Sequence, residues 1–432
     1  MPVAPTSFPD RAALAAHQLA QLQALLKALL PANPFYTSKL QAAGVSADIE
    51  SLDAFTKRVP FTHKRELIED QRNNPPYGTN LTYPLDRYTR LWQTSATSGN
   101  PLRWLDTPES HSWMLDSWAV VYDAAGVTAR DRVFFAFSFG LFLGFWTAFE
   151  SAARIGCLCL PGGGMRSAAR LQTIIDNQAT VLCCTPTYAI RLAEVATEEN
   201  IDLSQSRVKT IIVAGEPGAG IPATRAHIES LWNGARLFDH HGMTETGPAS
   251  YECPQRPGVL HVIESAFIPE VIDPATGSTV APGVVGELVL TNLGRLASPL
   301  LRYRTGDLVR PGAGARCICG SLNMALEGGI LGRSDDMVIV RGVNLYPTAV
   351  EEVVRSCGGI AEYRVEIRTD RALQELEIQI EPLPNHQGDP GALAQQLQLA
   401  LHNAFSLRIP VSFVQAGSLP RFELKAKRWF RV

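Results

Sequence analysis

The sequence has little of what several function classes require. Charge of one sign is missing: 39 Lys and Arg stand against 42 Asp and Glu, a formal net charge of -3. No Lys/Arg cluster is interleaved with aromatics, so the basic footprint of a nucleic-acid binder is absent. Long hydrophobic runs are missing too, and nothing approaches the roughly 20 apolar residues of a membrane span. Even VFFAFSFGLFLGFWTAFESAA is broken by Gly140 and Gly144 and reads as a buried strand, a turn and a helix. The opening stretch lacks a basic region followed by an apolar core, which predicts a cytoplasmic chain without a membrane partner. There the eight cysteines are expected as thiols or metal ligands rather than disulfides. No Gly-x-x-x-x-Gly-Lys-Ser/Thr loop occurs, which disfavours the P-loop class. Repeats and low-complexity tracts are also absent.

What is present is a globular composition, 46% hydrophobic over 432 residues, longer than one core usually supports. Residues 11–30 carry apolar positions at helical spacing. From Arg130 short apolar runs (RVFFAF, CLCLP, ATVLCCT, VKTIIVAG) alternate with helical stretches (SAARLQTIIDNQ, TYAIRLAEVATEEN), the pattern of an α/β fold with a parallel sheet. After His261, FIPEVIDPATGSTVAPGVVGELVLTNLG has frequent turn signals and alternating apolar positions, as antiparallel strands do. The last hundred residues or so carry their own strands (EYRVEIRT, QELEIQIEP) and helix (GALAQQLQLALHNAF), predicting a small α+β domain. Charge and small residues interrupt the apolar pattern between Arg333 and Asp336, so the domains are drawn as 1–334 and 335–432.

LWQTSATSGNPLRW gathers small hydroxyl residues and a glycine before Pro101, a loop whose N–H groups can converge on phosphate oxygens or form an ordinary polar turn. TSATSGNP is similar to the phosphate loop of adenylate-forming enzymes, and DHHGMTETG resembles their second nucleotide motif. YRTGD matches their ribose motif. GRSDDMVIVRGVNLYPTAVEEVV and LPRFELKAKR look like the hinge and the C-terminal lysine segment of the phenylacetate–coenzyme A ligase branch. The five motifs occur in the family's order and span nearly the whole chain. The resemblance implies a large N-terminal ATP- and acyl-binding domain with mostly parallel sheets and a small antiparallel subdomain. It also implies a mobile C-terminal domain, a homodimer, and as substrates ATP with Mg²⁺, coenzyme A and a small aromatic acid.

Residue by residue, the resemblance places Thr94, Ser95, Ala96, Thr97, Ser98 and Gly99 at the β- and γ-phosphates as neutral donors. Glu245, after Thr244, matches the Mg²⁺ carboxylate; the residue type also suits a helix N-terminal acid. Asp307 is expected to accept both ribose hydroxyls, with Arg333 at the same nucleotide. Ala214, Gly215, Glu216 and Pro217 follow the strand KTIIV and are expected at the adenine pocket and beside the acyl group, at that strand's carboxyl end. Asp239, His240, His241, Gly242 and Met243 complete the nucleotide set. Lys425 is the expected catalytic cation, with Lys427 as alternative. Asp335 occupies the hinge position. The chain departs from the family at Ala96 (usually Gly), His241 (usually Tyr) and Leu424 (usually Gly).

Phe137, Phe139, Gly140, Leu141 and Phe142 are expected to line a flat apolar slot for an aryl acid, or to be plain core. Benzoates including anthranilate, or phenylacetate, would fit, with His240 or His111 reading a ring substituent. Cys253, His261, Cys317 and Cys319 offer a tetrahedral zinc set; reduced, unliganded thiols are the alternative. Cys157, Cys159, Cys183 and Cys184 lie in apolar runs and are expected in the core. The activity implied is AMP-forming acid–coenzyme A ligation. Loading of a carrier protein, or non-catalytic nucleotide sensing, remain alternatives.

Overall fold

The computed structural model describes residues 8–94, 101–314, 316–341, 343–370, 373–384, 386–423 and 425–432. Strands Leu158–Pro161, Arg132–Phe135, Val181–Cys184, Thr210–Val213 and Arg236–Asp239 lie side by side in that order, all parallel. Successive strand residues point to opposite faces, and both faces are covered. Val133, Phe135, Val181, Cys183, Ile212 and Phe238 pack into one core with Trp118 and Tyr122 of helix Pro108–Ala124. Phe134, Leu182, Cys184, Ile211, Val213 and Leu237 pack into another with Leu171, Tyr188 and Ile228 from helices Ser167–Asp176, Pro186–Glu198 and Pro222–Leu231. Two-sided burial explains why these strands read as unbroken apolar runs. The five strands end at the same edge of the sheet, where the loops after Thr210–Val213 and Arg236–Asp239 carry AGEPG and HHGMTETG.

Antiparallel strands flank this sheet. Phe267–Ile272, Gly286–Asn292, Tyr303–Val309 and Gly332–Arg333 form one sheet, and Ser250–Cys253, Arg256–Val262 and Ala325–Glu327 another. The N-terminal helix Arg11–Leu29 begins where Asp10 accepts a hydrogen bond from the Ala13 N–H at 2.8 Å. It buries Leu22, Leu25, Leu26 and Leu29 against Tyr36, Leu40 and Phe55, each leucine contributing about 1.5–3 kcal/mol.

Residues 334–337 connect strand Gly332–Arg333 to Val338–Val340, the first strand of a separate mixed sheet. That sheet, built on the hairpin Ile360–Asp370 and Leu373–Pro382, packs on helices Pro347–Cys357 and Pro390–Phe405 around its own core of Val350, Val354, Val365, Ile378, Leu397 and Leu401. Among the described residues no helix is long and apolar enough to cross a membrane.

Candidate active site

The phosphate-loop motif joins strands Arg90–Gln93 and Arg103–Asp106, an antiparallel pair. Ser95, Ala96, Thr97, Ser98 and Gly99 lie outside the described residues. Thr94 and Leu102 close the base of the loop, the Thr94 N–H donating to the Leu102 carbonyl and the Leu102 N–H to Thr94 Oγ1, both at 3.0 Å. Asp106, at the end of the second strand, accepts from Arg295 Nε and Nη2 at 2.7 and 2.6 Å and from Trp92 Nε1 at 2.9 Å. Arg295 and Asp106 are wholly buried. Arg295 Nη1 then donates to the carbonyls of Thr244 and Glu245, each at 2.8 Å. A buried ion pair thus ties the hairpin carrying the first motif to the turn carrying the second.

That turn lies between strands Gly242–Met243 and Gly247–Pro248. Glu245 is buried, and its Oε1 lies 3.2 Å from Lys64 Nζ. Asp307, on strand Tyr303–Val309, is gripped from two sides: His241 Nε2 sits 3.0 Å from Oδ2, and Arg333 Nη1 donates to Oδ1 at 3.1 Å. Burial alone would raise the Asp307 carboxyl, but the His241 bond and the charges of His241 and Arg333 outweigh it and hold the pKa below the usual carboxylate range. Arg333 also forks onto Asp335 through Nε at 2.8 Å and Nη2 at 3.1 Å. This guanidinium lies over Gly306, where a Cβ would stand 2.8 Å from Nη2, and the φ of +78° there is one that glycine adopts without strain.

Gly215 follows strand Thr210–Val213 at φ +96°, and the position of a Cβ there is 3.2 Å from Lys425 Cε. The adjoining Ala426 N–H donates to Glu216 Oε2 at 2.8 Å, and Thr187 N–H to Glu216 Oε1 at 2.9 Å. The C-terminal lysine segment therefore docks on the loop after the fourth strand of the sheet. Solvent reaches part of Lys425, yet desolvation by the surrounding protein lowers its pKa below that of an ordinary lysine, opposed by Glu216, Glu245 and Asp307. Lys427 points elsewhere, its Nζ 5.5 Å from the centre of the Phe430 ring. Pro217 is exposed.

His240 is buried and packs on Trp118 at 4.3 Å between ring centroids. Its Nδ1 donates to the Ser250 carbonyl at 2.7 Å. Burial pushes its pKa down to about 3, so the ring is neutral and Nε2 is an acceptor. Burial, reinforced by Glu252, pushes Asp239 up to about 7.

Phe137 is buried and stacks on Phe145 at 4.7 Å, while Phe139 packs edge-on against Trp146 at 4.6 Å and Phe149 at 5.4 Å. The Gly140 carbonyl accepts from Trp146 Nε1 at 3.0 Å, and the Leu141 carbonyl from the Gln93 N–H at 2.5 Å. Phe142 is half-buried and the Leu141 side chain exposed. The second bond joins the aromatic stretch to the phosphate hairpin. Ala214 is half-buried against the core on the helix Pro108–Ala124 side. His111 bonds Glu150 through Nε2 at 2.7 Å and stacks on Trp92.

The fold also gathers Cys253, His261, Cys317 and Cys319, their ligand atoms within 4.8 Å of one another. Cys183 and Cys184 are fully buried, Cys157 is buried and Cys159 half-buried. Sequence reasoning missed Lys64 and the Asp106–Arg295 pair. Lys64 stands in an ordinary polar helix start, and no local signal links it to Glu245; Asp106 and Arg295 are 189 residues apart, and only the fold makes them partners.

The profile of the AMP-binding enzyme family matches residues 91–294, and that of the AMP-binding enzyme C-terminal domain matches residues 342–431. A phenylacetate–coenzyme A ligase of Pseudomonas putida is 32% identical over 427 residues, spanning 96% of this chain and 93% of that protein. A crystal structure of 2-hydroxyisobutyryl-CoA ligase in its postadenylation state, bound to an acyl-AMP, is 28% identical and superposes with a TM-score of 0.92 over 98% of this chain and 90% of that one. In its thioesterification state that ligase, bound to 2-HIB-AMP and CoA, is 29% identical over the same shares but superposes with a TM-score of 0.74. The present arrangement of lobes is thus closer to the postadenylation structure. On these matches the chain belongs to the adenylate-forming AMP-binding enzymes, in the branch of the phenylacetate–coenzyme A ligases.

Proposed function

We propose that this chain joins a small aromatic carboxylic acid to coenzyme A in two half-reactions. The first forms an acyl-adenylate from MgATP and releases pyrophosphate; the second passes the acyl group to the thiol and releases AMP. The observation that carries this reading is the docking of Lys425 on Gly215 within the electrostatic reach of Glu216, Glu245, Asp307 and Arg333. A cation there faces the acid and the α-phosphate, where charge develops in the transition state. Asp307 accepts the ribose hydroxyls, with Arg333 and His241 already holding the carboxylate ionised. Glu245, whose Oε1 lies 3.2 Å from Lys64 Nζ, would hold the Mg²⁺ that accompanies ATP, a hard cation suited to oxygen ligands. Thr94 to Gly99 supply donors to the departing pyrophosphate, while Thr244, Asp239, Gly242 and Met243 frame the nucleotide.

The second half-reaction requires the lysine to withdraw. We place the functional division at 334/335 with Asp335 as pivot. Contacts between the lobes include Ser167 Oγ to Glu423 Oε1 (3.3 Å), Ala223 N–H to Glu352 Oε2 (3.3 Å), Arg421 Nε to Glu194 Oε2 (3.4 Å) and Ala426 N–H to Glu216. These are polar contacts that water can replace, the character of an interface that separates.

The aromatic preference is supported by the phenylacetate ligase relative and by the rings of Phe137, Phe139 and Phe142. The neutral His240 Nε2 suits a ring bearing an amino or hydroxyl donor. ATP–pyrophosphate exchange with phenylacetate, benzoate, anthranilate and 2-hydroxyisobutyrate tests both parts. The expected result is exchange with an aryl acid about tenfold or more above the aliphatic acid, followed by thioester formation with free coenzyme A. Exchange with none of the acids overturns the ligase reading; exchange highest with 2-hydroxyisobutyrate overturns the aromatic part alone.

A further inference from the structure

Strand Ser250–Cys253 ends in Cys253 and pairs with Arg256–Val262, which carries His261 opposite Tyr251. A turn after strand Tyr303–Val309 brings Cys317 and Cys319 over this pair, closed by bonds from Cys317 N–H to the Ser321 carbonyl (2.9 Å) and from Gly320 N–H to the Cys317 carbonyl (2.8 Å). The Cys253 and Cys317 sulfurs are 3.7 Å apart, and Cys319 Sγ is 3.5 Å from His261 Nε2. A tetrahedral zinc with Zn–S near 2.3 Å and Zn–N near 2.05 Å has S···S edges of about 3.8 Å and S···N edges of about 3.6 Å. Both measured edges fall within about 0.1 Å of these values. The widest separation in the cluster, 4.8 Å at most, closes with a shift of about 1 Å in the exposed turn.

The imidazole is oriented for the same purpose. His261 Nδ1 lies 3.1 Å from the Asn323 carbonyl, which can only accept, so Nδ1 carries the proton and the Nε2 lone pair faces the sulfurs. A ligating histidine is ordinarily held in this way from behind. Asn323 is itself held, its Nδ2 donating to Tyr251 Oη at 3.1 Å, and its N–H to Ser321 Oγ at 3.1 Å. Three thiols and an imidazole, two of the four fully buried and two at the surface end, make an inner wall with an entry side.

We propose that Cys253, His261, Cys317 and Cys319 bind one structural Zn²⁺. Binding releases three thiol protons and leaves a site of charge −1, next to the Arg256 guanidinium, which also forks onto Glu327 at 3.1 and 2.6 Å. With four protein ligands the coordination sphere is closed, which makes the ion a clamp rather than a Lewis acid for substrate. It pins the 316–321 turn to the strand whose Glu252 accepts the Asp239 N–H at 2.9 Å and whose Ser250 carbonyl accepts from His240. The same turn reaches the N-terminal segment through Arg316 Nη2 to the Pro9 carbonyl at 2.8 Å. The clamp therefore stiffens the back of the nucleotide motif, and it stands whether or not the ligase reading does.

The test is the metal content of the full chain purified without chelator or immobilised-metal resin, measured by inductively coupled plasma mass spectrometry. The expected value is one zinc per chain, retained in Cys357→Ser and lost in Cys317→Ser/Cys319→Ser. Should that double variant fail to fold, Co²⁺ exchanged into the unmodified protein gives a second readout: intense tetrahedral d–d bands with thiolate charge-transfer absorption are expected. Substoichiometric zinc together with no such cobalt spectrum overturns the proposal. So does a Cys253–Cys317 disulfide, identified by peptide mapping of the denatured, unreduced chain.

Discussion

The Asp106–Arg295 pair joins two nucleotide motifs through one buried guanidinium, and cutting it separates stability from chemistry. Asp106→Ala strands the Arg295 charge where neither partner is exposed, a loss of about 3–5 kcal/mol for a buried pair broken from one side. It also leaves Trp92 Nε1 without its acceptor, a further cost of about 1–3 kcal/mol. Replacing both partners with apolar residues, Asp106→Leu with Arg295→Met, removes the stranded charge, so the double variant is expected to be more stable than Asp106→Ala alone. Across the cycle closed by the single variants Asp106→Leu and Arg295→Met the coupling energy should be about 2–3 kcal/mol, read from urea unfolding by tryptophan fluorescence. Activity should not follow. Without Arg295 Nη1 the carbonyls of Thr244 and Glu245 lose their anchor, and misplacing the Glu245 carboxylate should slow pyrophosphate exchange about 10–100-fold, as for groups that orient a metal ligand. A double variant that regains stability and exchanges at the unmodified rate refutes the positioning role. Coupling below about 0.5 kcal/mol refutes the energetic argument.

Lys425→Ala is expected to cut pyrophosphate exchange about 10²–10³-fold while sparing thioester formation from preformed adenylate, and Lys427→Ala to leave both intact; comparing the half-reactions decides it. Because desolvation lowers the Lys425 pKa, exchange in the unmodified enzyme should fall on an alkaline limb below that of an ordinary lysine, measured as kcat against pH. Asp335→Pro should spare adenylate formation and suppress thioester formation, whereas Asp335→Ala, which removes only the carboxylate on Arg333, should raise the KM for ATP; equal loss of both half-reactions in the proline variant counts against a pivot. Asp239 has a folded pKa of about 7, above the unfolded value near 3.9. Its ionisation opposes folding, so stability falls as pH rises from about 4 to 7. Asp239→Asn, which keeps the acceptor for the His240 N–H, should raise Tm by a few degrees at pH 8 and by nothing at pH 4; an equal shift at both would show that charge is not the cause.

Much of this protein is legible in one dimension. The parallel strands announce themselves because both faces are buried, so Val133 to Phe135 and Val181 to Cys184 are apolar at every position. The motifs are legible because each is a contiguous loop at a strand end whose chemistry depends on neighbouring residues: YRTGD carries its carboxylate and the glycine under Arg333. Even the Cys317–Cys319 turn and the Cys253–His261 pair are visible as short spacings.

Local order alone left the partners undecided. Charge energies depend on distance and burial in space, and neither is encoded by separation along the chain. Lys64 meets Glu245, and Arg295 meets Asp106, because the fold brings together a helix start, a turn, a loop and a strand end that are distant in sequence. The choice between Lys425 and Lys427 is likewise spatial, since one abuts Gly215 and the other Phe430. Residue order determined which chemical groups the chain possesses and which local loops present them. The tertiary structure decided which of those groups lie close enough, and dry enough, to act on one another.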